Sequence, residues 1–203
     1  MRADRLPGLS KAGREALVDY GVSLVVDMRP EREDAEDVYE PLPVPVERTP
    51  VDPAAVPAAW TFDSMHEAYL GMIRHFPDEF ARALTLLGQA EPPVAVHCAG
   101  GRDRTGIACG MALWLAGAEP DAIAADHALS DESWAPHHAE WLAEAPDEEE
   151  RESRRRITRP AGLTLAEVLE QVEQETGIRR LLVDAGADPA ALDRLAQRLR
   201  TNP

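Results

Sequence analysis

The residues best suited to chemistry in this chain lie together, in the run His97-Cys98-Ala99-Gly100-Gly101-Arg102-Asp103-Arg104-Thr105-Gly106. A cysteine and an arginine stand with five residues between them, between an apolar strand and a helix. That spacing suits a cradle for a tetrahedral oxyanion. Gly100 and Gly101 let the backbone turn tightly enough for successive N–H groups, from Ala99 through Arg104, to converge on one anion. A helix expected to open at Thr105 adds the positive end of its dipole at the same point. These fields favour the thiolate of Cys98, the form that attacks phosphorus.

Each residue then has a task. Cys98 is the nucleophile and forms a phosphocysteine, and Arg104 clamps two phosphoryl oxygens with a fork that lysine lacks. Arg102 adds positive charge to the phosphate-binding loop, Thr105 donates to the sulfur, and His97 braces the loop through its ring nitrogens. Backbone amides and Arg104 supply the electrostatic stabilisation, so no metal or other cofactor is called for. Cys109 stands among Ile107, Met111 and Leu113 in the helix that follows and reads as core.

The elements that must hold this loop are legible on both sides of it. The apolar residues Val94-Ala95-Val96 predict a buried strand, and the helix after the loop is expected to end at Gly117. Val22 to Val26 predicts a second strand ending at Asp27, whose carboxylate is expected to bond Arg29. Before it, a helix over 9–20 has Ser10 as its N-cap. Six prolines between 41 and 57 leave room for an edge strand only, around 42–48. Helices are predicted over 64–76, 77–89 (with Pro77 at its first position), 121–129, 164–176 and 188–200. Residues 131–160 carry Trp134, Trp141 and a block of acids followed by arginines; they read as a solvated, ion-paired helix, or as a lid over the site or a docking surface. The whole is an α/β domain over residues 1–203, with a mostly parallel sheet of about four or five strands flanked by helices and its site at the strands' carboxyl ends.

Charge and composition exclude several functions. With 21 basic and 37 acidic side chains the net charge is −16, which disfavours a nucleic-acid partner. No apolar run reaches the ~18 residues of a membrane span. The opening residues Met1 to Arg5 lead into Leu6-Pro7-Gly8 rather than an apolar stretch, and there are only two cysteines, so a cytoplasmic protein is expected.

At the loop, the sequence resembles the cysteine-dependent protein-tyrosine phosphatase superfamily. More narrowly, it resembles a bacterial tyrosine-phosphatase family with mycobacterial and Listeria members. The likeness continues in Arg2-Ala3-Asp4, in Val25 to Arg29 with Glu33, in Tyr69 to Phe76, in Ala125 to Ser130 and in the tail from Gly177 to Gly186. It implies a phosphomonoesterase acting on phosphotyrosine, with phosphoserine, phosphothreonine or phosphoinositides as further substrates. Family members carry an N-terminal stretch with an early strand that is not matched here, so an open sheet edge is expected. They also carry lysine where this chain has Arg102.

A leaving phenolate or alkoxide needs a proton. Asp103 beside Arg104 resembles the Asp-Arg-Thr ending of myotubularin-like and Sac-like lipid phosphatases, which implies Asp103 as the general acid. Asp52, in the proline-rich segment, is the alternative. Two other readings of the cradle are a phosphate-binding module without turnover and a rhodanese-like sulfurtransferase.

Overall fold

The structure is a computed structural model that describes residues 1–4, 6–33, 44–55, 65–157 and 162–201. Part of the proline-rich segment and the start of the helix expected from Ser64 lie outside these residues.

Four strands form one sheet in the order β1-β4-β2-β3: β1 (Arg2–Ala3), β2 (Leu24–Asp27), β3 (Val46–Arg48) and β4 (Val94–His97). All three pairings are parallel. The central strands β2 and β4 are buried along their whole length, as their apolar runs require. Alternation divides their side chains between two cores. Leu24, Val26, Val94 and Val96 face a large helical core, while Val25 and Ala95 meet Leu6, Leu17 and Val22 on the opposite face. Burying Val25 and Val26 completely contributes roughly 1.5–3 kcal/mol each.

The smaller core is closed by α1 (Lys11–Asp19), where Ser10 caps the helix by accepting from the Gly13 N–H at 3.1 Å. The larger core is built by α2 (Met65–His75), α3 (Pro77–Gln89), α4 (Asp103–Leu115), α5 (Pro120–Ala143), α7 (Gly162–Glu175), α8 (Ile178–Asp184) and α9 (Pro189–Thr201). Between α5 and α7 lies α6 (Glu148–Ile157).

The short strand β1 pairs with β4 through Arg2–Val96 and Ala3–His97 and is itself an edge of the sheet, with no strand on its outer side among the described residues, as expected. Other expectations need correction. The loop helix α4 begins at Asp103, two residues before the predicted start, so Asp103 and Arg104 project from its first turn. Its N-cap is Arg102, which makes no side-chain capping bond, so no residue type announces this start. Helix α5 does not stop at Leu129 but continues to Ala143, and α8 was not foreseen. The charged block after α5 does form an ion-paired helix, α6, with Arg154 on Glu150 at 2.8 Å and Arg155 on Glu148 and Glu152 at 3.0 and 3.1 Å. Arg154 also stacks over the Trp141 ring at 4.7 Å, which ties α6 to the end of α5.

Candidate active site

Strand register brings the site together. Ala3 and Asp27 lie level with His97 on either side of β4, and Cys98 follows at the carboxyl edge of the sheet. Residues 98–102 then turn into α4. Gly101 has φ +62°, and a Cβ there would fall 2.6 Å from the Ala3 carbonyl oxygen, so only glycine fits. Among the described residues no hydrogen bond takes up the N–H of Ala99, Gly100 or Gly101.

The base of the loop is held by a buried polar frame. Arg29 donates to Asp27 through Nε and NH2, at 3.0 and 2.9 Å, and both side chains are shut off from solvent. Burial pushes the Asp27 carboxyl upward, but the Arg29 bonds and charge outweigh it and hold the group below its ordinary range. His97 Nδ1 lies 3.0 Å from the Cys98 carbonyl oxygen; a carbonyl only accepts, so this nitrogen carries the proton. Burial pushes the His97 pKa down, which favours the neutral ring.

Cys98 is 2% exposed, and the Thr105 hydroxyl, wholly buried in the first turn of α4, makes no hydrogen bond among the described residues. Both cysteines are free. The Cys109 thiol is pushed up to about 11 by burial, as befits an inert position.

Arg104 meets a residue that sequence reasoning assigned no role. Its NH1 and NH2 groups donate end-on to Glu33 at 2.9 and 3.0 Å, and NH1 also reaches the Val51 carbonyl at 3.4 Å. Burial opposes the Arg104 charge, but Cys98, Glu33 and Asp103 outweigh it and raise its pKa. The end-on pair leaves the Nε edge of the guanidinium without a partner among the described residues. Arg102 points elsewhere. It is 3% exposed, and its Nε donates to Asp131 on α5 at 2.7 Å.

The two candidate acids differ. Asp103, with a side chain 32% exposed, accepts at Oδ1 from the Tyr69 hydroxyl at 2.6 Å. Asp52 is gripped by Arg32, with Nε and NH2 donating at 3.0 to 3.1 Å and 2.6 Å. These bonds hold the Asp52 carboxyl below its ordinary range, in the ionised form, which is the wrong form for a proton donor.

Gly106 completes the motif for a steric reason. A Cβ there would lie 2.3 Å from His127 Cε1 on α5, so Gly106→Ala must drive the ring and helix apart. The expected cost is about 1–3 kcal/mol, read as a lower urea midpoint with an unchanged slope. An unshifted midpoint would show that the two helices do not approach this closely.

Among the described residues no group of His, Cys, Asp and Glu side chains is arranged to hold a metal ion, and no helix is long and apolar enough to cross a membrane. Compared with known proteins, the chain matches the model of the tyrosine phosphatase family over residues 1–201. A tyrosine-protein phosphatase from Nostoc commune is 30% identical over 140 residues, 64% of this chain and 47% of that protein. The chain therefore spans about half the length of this curated relative. With the family model matched along nearly its whole length, the chain belongs to the tyrosine phosphatase family.

Proposed function

We propose that the chain is a metal-independent protein-tyrosine phosphatase that works through a phosphocysteine on Cys98. The observation that carries this reading is the grouping at the head of α4: a buried cysteine and, among the described residues, uncommitted loop amides, an unpartnered Thr105 hydroxyl, and an Arg104 fork whose Nε edge is left over by Glu33. Such a set of donors matches the oxygens of a phosphoryl group and its in-line transition state.

In the first step the Cys98 sulfur attacks phosphorus, the ester P–O bond breaks, and Asp103 gives its proton to the leaving oxygen. In the second, water attacks phosphorus and gives a proton to the Asp103 carboxylate. The S–P bond breaks and releases inorganic phosphate, while Thr105 stabilises the departing sulfur. Asp103 suits both roles because it stands in the first turn of α4, beside Arg104 and open to solvent on one side. With Arg102 turned to Asp131, the loop brings one arginine to the phosphate rather than two. Phosphotyrosine is the first substrate class on this reading, with phosphoserine, phosphothreonine and phosphoinositides to be ranked against it.

The test is phosphate release in EDTA from a phosphotyrosine peptide, a phosphoserine peptide and a phosphoinositide panel. Wild type should turn over the phosphotyrosine peptide, and Asp103→Asn should lose about 100-fold or more in kcat/KM. Absence of release from every substrate would refute the enzyme. If binding persisted without release, the site would be a phosphate-reading module.

A further inference from the structure

The chemistry above leaves three polar side chains behind the loop without a role: Arg2 on β1, His127 on α5 and Tyr69 on α2. Tyr69 is wholly buried and His127 is 1% exposed. They form a continuous path. Arg2 NH2 lies 3.3 Å from His127 Nδ1, His127 Nε2 lies 3.2 Å from the Tyr69 hydroxyl, and that hydroxyl lies 2.6 Å from Asp103 Oδ1. The His127 and Tyr69 rings meet edge to face, with centroids 5.8 Å apart.

We propose that Arg2, His127 and Tyr69 are a one-way hydrogen-bond relay that positions Asp103 for proton transfer, so that Oδ1 is always the acceptor and Oδ2 alone faces the leaving group. The proposal rests on Asp103 being the general acid. Its direction follows from donor and acceptor chemistry. A guanidinium can only donate, so His127 Nδ1 accepts. Burial, reinforced by the Arg2 charge, pushes the His127 pKa down to about 4, so the ring is neutral near pH 7 and its proton sits on Nε2. Nε2 then donates to the Tyr69 oxygen, and the Tyr69 proton has one place to go, Asp103 Oδ1. Burial and the Asp103 charge push the Tyr69 pKa well above its ordinary value, so the phenol keeps that proton.

Both ends of the relay are anchored. Arg2 NH1 donates to Asp126 Oδ2 at 2.9 Å, Arg2 NH2 donates to Ser130 Oγ, and Arg2 Nε reaches the Gly101 carbonyl at 3.3 Å. The same arginine thus touches the catalytic loop at Gly101 and governs its acid through His127. The other charges near Asp103 are Arg102, with NH1 at 3.8 Å, Arg104 and, across α5, Asp131. At 3.8 Å Arg102 NH1 stands beyond hydrogen-bond distance of Oδ1, whereas the Tyr69 hydroxyl donates to it at 2.6 Å.

A positioning role separates from a structural one by leaving-group dependence. Phenyl phosphate needs its leaving oxygen protonated, whereas 4-nitrophenyl phosphate departs with little help. The value of kcat/KM reports the step in which that oxygen leaves. Tyr69→Phe is expected to lower kcat/KM about 10-fold for phenyl phosphate and less than about 3-fold for 4-nitrophenyl phosphate. Asp103→Asn should show the same selectivity more strongly, and adding Tyr69→Phe to it should cost nothing further. His127→Leu should reproduce Tyr69→Phe, while His127→Gln, with one acceptor and one donor, should keep wild-type selectivity.

The ratio between two substrates on one preparation is independent of the fraction folded, so a destabilised variant still reports. Equal losses on both substrates, or full additivity with Asp103→Asn, would overturn the relay and leave the phosphatase standing. An inert wild type would overturn both. A selective Tyr69→Phe beside an unselective Asp103→Asn would overturn the relay by removing the acid it serves.

Discussion

Cys98→Ser is expected to fold, to keep binding phosphate, and to lose activity by on the order of 10⁴-fold or more. The substitution exchanges sulfur for oxygen at a site 2% exposed, so packing is nearly unchanged. What changes is the proposed nucleophile. A serine hydroxyl stays protonated at neutral pH. His97 is the nearest imidazole in sequence, and its Nδ1 proton is committed to the Cys98 carbonyl, behind the loop rather than over it. Arg104, the loop amides and the α4 dipole remain, so calorimetry with inorganic phosphate should return an affinity close to wild type. Cys109→Ala supplies the control. That thiol is held at about 11 by burial, and its removal should leave turnover unchanged. Activity of Cys98→Ser within about 100-fold of wild type would exclude covalent catalysis at this position.

The loop was legible in the sequence because its chemistry is local. Cysteine, glycines and arginine lie within one short loop, and the flanking strand and helix announce themselves by their apolar runs. Caps and turn residues worked for the same reason, as at Ser10 and Pro77. The residues that hold the site are of another kind. Glu33 reaches Arg104 across 71 positions, and Tyr69 reaches Asp103 across 34. Arg2 meets His127 across 125. Each is a single polar residue on its own element, and only the β1-β4-β2-β3 order and the packing of α2 and α5 behind α4 make them neighbours. Glu33, Tyr69 and His127 all fall in stretches that carry the family likeness, but a likeness gives a position and no partner. The true length of α5 was obscured for a different reason: charged residues surround Trp141 and Leu142, so its apolar positions do not repeat as one stripe.

Replacing Arg104 with lysine tests the other half of the site, and a loss of about 10³-fold in kcat/KM is expected. A guanidinium can serve two planar partners at once, Glu33 end-on and a phosphoryl group along its Nε edge, whereas an ammonium is a point charge that can satisfy only one of them in register. Lysine would be drawn to Glu33, which stays close behind it, and the phosphoryl clamp would be lost. Glu33→Gln is the companion. The amide accepts through one oxygen where the carboxylate used two, so the fork loosens but stays near its place, and about a 10-fold loss follows. Because the Glu33 hydrogen bonds go to Arg104, with Arg32 only at 3.9 Å, combining the two changes should be no worse than Arg104→Lys alone. The opposite sign is also informative. If Glu33→Gln raised kcat/KM, the carboxylate would be a competitor that substrate must displace, and the resting pair of Glu33 and Arg104 would be a closed form of the site rather than its scaffold.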